Sequence, residues 1–395
     1  MRTTASAGLA LRLTAVAAAA GCALAVVTGA LAVGSAHSLA AELTVPPLLA
    51  LLLVAILSHR RLLPRAVASL VLFGAAAAVT TRAAHLAFAA LAFAAVCATA
   101  ARALRGERLA PGSARDYLTL TKPRIMSLLL VTGACGMVVG ARGWPGTQRF
   151  AVAMLGLALA CGGASALNHL LDRDIDRLMG RRTEGRPVAT GRIAPSRALE
   201  FGLALSACSF TLLASTVNVL TAVLALVGNA FYVLVYTGYL KRRGPQNIVL
   251  GGAAGAVPPL VGYAAATGSV GVPALWLFVI VFLWTPPHFW ALALLLRDHY
   301  AAAKVPMLPV AAGVARTVRQ ITVYTVTLVA VTVVPYLTGT FGAVYLAVAL
   351  GLGGVFVVLA VRLRSERRRD AALTFHFSLL YLALLFAAAA VDAAL

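Results

Sequence analysis

The chain has 395 residues, of which 61% are hydrophobic and only 11% charged. Soluble domains carry about 25% charged residues, so this composition excludes a soluble globular protein and reads as membrane-embedded. The formal charge of +21 does not point to nucleic acid, because the basic residues lie in short segments between apolar runs, the pattern of a topology signal.

A spanning helix needs roughly 20 apolar residues. In chain order, four weaker candidates come first, at about 13–34, 44–58, 66–81 and 84–101, the third short enough for a re-entrant hairpin. The first is too long for a signal-peptide core, so it is expected to be retained. The polar stretch "RALRGERLAPGSARDYLTLTK" (102–122) then reads as a linker between an N-terminal membrane domain, 1–110, and a larger one, 111–395. Nine spans follow, at about 125–141, 150–170, 198–216, 219–239, 248–266, 274–296, 318–337, 341–361 and 373–392. The expected fold class is all-α, a polytopic membrane bundle.

Assigning alternate sides puts 30 of the 33 Lys and Arg on one side, leaving Arg82, Arg142 and Arg149 on the other. Such an asymmetry marks the basic side as cytoplasmic, with the N-terminus there too, in a plasma-membrane protein. Cys22, Cys97, Cys135, Cys161 and Cys208 all fall in apolar spans without metal-ligand spacing, which reads as small buried hydrophobes.

The apolar run 149–167 ends abruptly in "NHLLDRDIDRLMGRRTEGRP" (168–187). At helical spacing Asn168, Asp172 and Asp176 share a face, while Asp174 points away. Carboxylates with phosphate oxygens are the usual ligands of Mg²⁺, and Arg181, Arg182 and Arg186 behind them suit the remaining phosphate oxygens. The competing reading is a solvated helix end in which the aspartates pair with Arg173 and Arg177. A second loop, "WTPPHFWALALLLRDHYAAAKVPMLP", ends another span in Asp298 on the same side. A third, "YTGYLKRRGPQN", adds Tyr236, Lys241, Arg242 and Arg243. Two acid-bearing helix ends suit a clamp on one metal–diphosphate, with Asp172, Asp176 and Asp298 as metal ligands.

N-x-x-x-D-x-x-x-D after an apolar helix resembles the first signature of the UbiA-type membrane prenyltransferases. More narrowly, "DYLTLTKPRIMSLLL", the aspartate motif, "YTGYLKRRGPQNIVLGGAAGAVPPLVGY", "WTPPHFWALAL" and "VPMLPV" resemble the protohaem IX farnesyltransferases, over about residues 116–395. The resemblance implies a nine-helix bundle and an enzyme moving farnesyl from farnesyl diphosphate to a vinyl of haem b, with water added to give haem O. It implies Mg²⁺ as cofactor, with Asn168, Asp172 and Asp176 holding Mg²⁺–farnesyl diphosphate and Asp298 at the second acidic site. Many relatives have DxxxD there, whereas position 302 here is Ala. Lys122, Arg124, Arg182, Arg186 and Lys241 become partners of diphosphate or haem propionates.

An allylic cation needs a dry cavity, and aromatic faces stabilise it by about 0.5–2 kcal/mol each. Tyr232, Tyr236, Phe289 and Trp290 are candidates, each equally readable as packing. His288 follows Pro286 and Pro287 inside a span, where a helix break is expected, and Pro258 and Pro259 repeat the device. Its functional reading is a haem-iron ligand or a base for the hydration step; its plain reading is a hydrogen-bonded structural histidine. His299 and His376 carry no argument. Residues 26–40 are similar to a haem A synthase helix, which brings in His37, His59 and His85 and haem A synthase as a partner. A plain membrane domain for assembly is the favoured reading of that region.

Two other readings compete: another UbiA-type enzyme acting on a quinone or chlorophyll precursor, and a transporter of an anionic substrate. The motifs around 284–294 and 305–310 oppose the first. A transporter places ionisable groups deep in several spans, whereas here they gather at helix ends.

Overall fold

The computed structural model describes residues 112–365 and 367–395, without the side chains of Arg181, Arg182 and Ser365. The four N-terminal candidate spans lie outside these residues. With no water at membrane depth, every backbone N–H and C=O must be paired within the segment, which favours helices throughout. Nine helical stretches among the described residues are long and apolar enough to cross a membrane. They match the expected spans with ends shifted by a few residues, and the chain is an integral membrane protein of all-α class.

A short helix, α1 (Ala114–Leu120), precedes the bundle, its N-terminus closed by a Ser113–Asp116 capping box. α2 (Pro123–Ala141), α3 (Thr147–Leu171), the short α4 (Arg173–Leu178) and α5 (Pro195–Thr216) follow. α6 (Val219–Ala230) runs into a π-helical turn, Phe231–Thr237, and then a 3-10 turn, Leu240–Arg242. The next span is two helices, α7 (Asn247–Gly255) and α8 (Val257–Thr267), parted at Ala256 just before the Pro258–Pro259 pair. α9 (Val272–Leu295), the short α10 (Arg297–Ala302) and α11 (Leu308–Ala311), then α12 (Val314–Leu337), α13 (Ala343–Arg362) and α14 (Arg368–Ala394) complete the chain.

One expectation is corrected. α9 runs unbroken through Pro286 and Pro287. Each proline removes a backbone donor, but the stretch from Trp284 to His288 is buried against its neighbours. Trp284 Nε1 donates to the Ser378 carbonyl on α14 at 2.8 Å, and Thr285 Oγ1 donates to the Val281 carbonyl at 2.8 Å. Tertiary packing holds the helix where local propensity would break it.

Helix pairs meet through small residues. Gly133, Gly136 and Gly140 on α2 lie against the backbone of α8 near Pro258, Pro259 and Tyr263. A Cβ at Gly262 would stand 1.8 Å from the Gly133 carbonyl oxygen, so glycine there permits backbone-to-backbone contact. Gly163 and Gly202 play the same part between α3 and α5. Elsewhere the core is aromatic, with Tyr345, Phe356, Tyr381 and Phe386 all fully buried. At the far end, Asp392 of α14 accepts from the backbone N–H groups of Gly342 and Tyr345, capping α13 from a neighbouring helix.

Gly262→Ala should therefore destabilise the bundle by about 3 kcal/mol, the upper end of overpacking costs, because backbone rather than a flexible side chain must move. Gly354→Ala, where an added methyl meets nothing within 4 Å, should be neutral or slightly stabilising. Thermal unfolding of both variants in detergent checks this; equal melting temperatures would remove the close-contact account.

Candidate functional site

α3 does not end cleanly. Asp172 closes it with φ −86° and ψ 1° and opens α4 in the same position. The i to i−4 ladder continues across this bend, Asp172 N to Asn168 O at 2.9 Å and Asp176 N to Asp172 O at 2.8 Å. Asn168, Asp172 and Asp176 thus stay on one side and are 2%, 0% and 2% exposed. Asp174 faces out, its carboxylate gripped by both terminal nitrogens of Arg242 at 2.6 and 2.7 Å, which holds it at about 2.

Three cations from three other segments converge on the buried face. Lys122 Nζ donates to Asn168 Oδ1 at 2.6 Å. Asn168 Nδ2 in turn donates to Asp172 Oδ2 at 2.8 Å and to Thr237 Oγ1 at 3.0 Å. Lys241 Nζ donates to the same Asp172 Oδ2 at 2.5 Å. Arg186 pairs with Asp176 Oδ1. Each aspartate therefore has one oxygen held, while Asp172 Oδ1 and Asp176 Oδ2 are buried with no hydrogen-bond partner. A solvated pairing with Arg173 and Arg177 is not what holds these acids; Arg177 donates to the Ala189 carbonyl instead.

Burial dominates the electrostatics. It raises the Asp176 carboxyl above its ordinary value despite the Arg186 contact. It also pushes the Lys122 ammonium down to about 7, helped by the nearby Arg186 charge. Both groups are poised for an incoming ligand of opposite charge, which would restore the ionised form.

The loop carrying Arg186 is itself fixed. Arg192 donates to Asp116 Oδ1 at 2.8 Å and to the Gly185 carbonyl at 2.8 Å, tying residues 184–192 to α1. The capping-box backbone bond from Ser113 and then Arg192 hold the Asp116 carboxyl at about 2, so this tie stays charged at neutral pH.

Beneath the cluster opens a cavity of about 220 Å³ with Lys122 at its polar end. Leu129, Leu157, Val261, Tyr232, Tyr236 and Phe289 are among its walls. The two tyrosine rings stack at 5.6 Å. They project from the π-helical turn, a local widening that often marks functional sites. Gly251 makes room for them, since a Cβ there would stand 2.3 Å from the Tyr236 ring.

Not every expected residue joins. Trp290 is not among the cavity walls; it stands edge-on to Tyr324 at 5.3 Å, in a buried cluster behind Ile248, Tyr236 and Phe289. Arg124 is exposed and outside the cavity lining. The side chain of Arg182 lies outside the described residues. Asp298 is exposed on α10, and among the described residues no three His, Cys, Asp or Glu converge as a metal site. Asp172 and Asp176 are buried on one face, whereas Asp298 is exposed.

His288 is buried between Trp284 and Phe375, with centroids at 4.2 and 4.8 Å. Its Nδ1 lies 2.7 Å from Ser378 Oγ, whose proton goes to the Phe375 carbonyl at 2.6 Å. The hydroxyl then accepts from Nδ1–H, which leaves the lone pair on Nε2. Sequence reasoning missed four further residues: Thr237, Asp116, Arg192 and His169. His169 is 1% exposed with both ring nitrogens unpartnered. Its position beside the motif was the only available signal.

Known proteins similar to this chain share one family. A protoheme IX farnesyltransferase of Symbiobacterium thermophilum is 50% identical over 290 residues, covering 72% of this chain and 97% of that protein. One from Thermus thermophilus is 50% identical over 281 residues, or 71% of this chain; the match spans only 46% of that longer relative. Among solved structures, a UbiA homolog from Archaeoglobus fulgidus bound to DMAPP and Mg²⁺ superposes with a TM-score of 0.56 at 20% identity, over 70% of this chain and 99% of that one. That likeness establishes the fold. With residues 129–387 matching the UbiA prenyltransferase family as well, the chain belongs to that family.

Proposed function

We propose that this chain transfers the farnesyl group of farnesyl diphosphate to a vinyl group of haem b, with water completing the product, haem O. The observation that carries the reading is the pair of unpartnered carboxylate oxygens, Asp172 Oδ1 and Asp176 Oδ2. They lie among three cations, beside a largely apolar cavity. The name shared by relatives at 50% identity supports the choice of acceptor and donor.

The donor set fits Mg²⁺, a hard cation that takes one or two carboxylates and leaves its other positions to phosphate oxygens and water. Bound there, Mg²⁺ would neutralise charge developing on the departing diphosphate. Asp172 and Asp176 would hold it; Asp298 is left out of the ligand set because it is exposed on α10. Lys122, Arg186 and Lys241 bind the diphosphate oxygens and offset their charge as the C1–O bond breaks. The apolar walls take the isoprenoid tail and keep water from the allylic carbon. Tyr232 and Tyr236 offer ring faces to the developing cation. The vinyl carbon attacks C1, the positive charge passes to the carbon next to the porphyrin, and water adds there with loss of a proton. We assign His288 to the haem side, as iron ligand or as the base for that proton, with Ser378 fixing its tautomer. The basic end of the bundle, which holds the cluster, faces the cytoplasm at the plasma membrane.

Asp172→Ala and Asp176→Ala should each lower haem O formation at least about a hundredfold, with the protein still inserted. Asp174→Ala should stay within about threefold, since an exposed ion pair contributes little. Turnover on membranes with haem b, farnesyl diphosphate and Mg²⁺, followed by mass, decides it. Near-normal rates for the first two would remove the diphosphate site.

All site residues, and the whole family match, lie beyond residue 111. A chain lacking residues 1–110 should therefore keep catalysis. If it reaches normal membrane levels yet is inactive, the two-domain division fails.

His288→Ala should abolish haem O formation while a farnesyl diphosphate analogue still binds, and Ser378→Ala should weaken haem binding by releasing Nδ1. Paired titrations with the analogue and with haem b separate these. Unchanged haem affinity, iron spectrum and turnover in His288→Ala would make it a structural histidine.

A further inference from the structure

A second crevice, of about 340 Å³, lies between α12 and the 3-10 turn Leu363–Ser365 after α13. Its lining is Ala315, Val318, Arg319, Thr322, Val323 and Arg364. By helix connectivity it opens at the same end of the bundle as the aspartate cluster, yet it shares no residue with the cavity there. We propose that it binds the headgroup of an anionic phospholipid, with its phosphate between Arg319 and Arg364.

Three observations carry this. Both arginines are exposed, and no ion pair with either is formed among the described residues. Exposed Arg316 is near Arg319 in the chain, and exposed Arg362, Arg367, Arg368 and Arg369 are near Arg364, so these segments are net positive even with Glu366 and Asp370 counted. The remaining polar group of the lining is already satisfied: Thr322 Oγ1 donates to the Val318 carbonyl at 3.0 Å and to the Ala360 carbonyl at 3.3 Å. The guanidinium groups are thus the donors left for a ligand, and they suit a phosphate.

The helix face below them favours a lipid over a free anion. Arg319, Val323 and Val326 recur at i, i+4 and i+7 on α12, one above the next. Val323 is 51% and Val326 49% exposed. A cation over a strip of exposed valines, on a helix long and apolar enough to span, matches a headgroup above an acyl chain. A soluble phosphate would use only the upper half.

The full chain, purified in an uncharged detergent, would be titrated with phosphatidylglycerol, phosphatidylcholine or inorganic phosphate, and retained molecules counted by native mass spectrometry. Phosphatidylglycerol should be retained over phosphatidylcholine by about tenfold or more. Each arginine near an anionic headgroup contributes a factor of roughly five. Arg319→Gln with Arg364→Gln should thus cost about 25-fold in phosphatidylglycerol retention. The control pair Arg142→Gln with Arg149→Gln, at the opposite end, should change nothing. Equal loss in both pairs, or equal retention of the two lipids, overturns the site. Retention of inorganic phosphate at the affinity of the lipid also overturns it, since the acyl strip would then be idle. A photoactivatable phosphatidylglycerol on the unmodified protein gives an independent measure: crosslinks should map to 315–326 and 363–365, and labelling elsewhere alone refutes the assignment.

Discussion

Asp172 and Asp176 are almost wholly withdrawn from water, and an ionised carboxylate so placed costs several kcal/mol unless cations and hydrogen bonds stand beside it. The arrangement around them answers that cost only in part. Lys241 and Arg186 each engage one oxygen, and the other oxygen of each acid is left unpaired. Counting Lys122, Lys241 and Arg186 against the two acids gives a site with at most one surplus positive charge. A prenyl diphosphate with one Mg²⁺ carries about one negative charge. The loaded site would be neutral, which a low-dielectric surrounding demands far more strictly than water does.

Convergence of these groups depends on departures from regular helix. Side chains on a straight helix project at fixed intervals, so charged residues from four segments cannot all reach one point without bends. The chain bends at Asp172, widens into the π turn at Phe231–Thr237 and tightens into 3-10 turns at Gly180–Thr183 and Leu240–Arg242. Lys122 has φ +50°, a left-handed backbone that costs about 1–2 kcal/mol in a non-glycine residue. Glycine would remove that cost. Lysine there supplies the contact to Asn168, so strain sits where the chemistry needs it.

The nine spans among the described residues were legible because length and apolarity alone determine them, and the shared face of Asn168, Asp172 and Asp176 followed from helical period. The ladder through Asp172 preserved that period despite the bend. What sequence could not supply was the partner of each charge. The basic loops mark Arg186 and Lys241 as phosphate ligands, but their pairing with particular aspartates depends on loops that fold back over tens of residues. Asp298 looked equivalent to the first acids because it too ends a span; the geometry of a six-residue helix after Leu296 leaves it exposed instead. The Pro286–Pro287 break was expected from local rules, and packing against α14 overrode them. Helical phase turns His169 from the motif's face, which says nothing about what other segments bring to it.

The distribution of polarity along the cavity also separates the two broad readings of the sequence. An anion carrier must offer its substrate polar contacts along the path through the membrane. Here the charged groups stop at one end, and walls such as Leu157, Pro258 and Val261 continue inward from Lys122. A freely soluble anion would lose hydration on entering and gain little in return. A molecule with an anionic head and a long isoprenoid tail loses nothing, because its tail is as apolar as the walls and its head stays at the mouth. A molecule of that profile would set the carbon joining head to tail at the boundary between Lys122 and the two tyrosines. There, leaving-group charge and carbon-centred charge can each be met by groups of the matching kind.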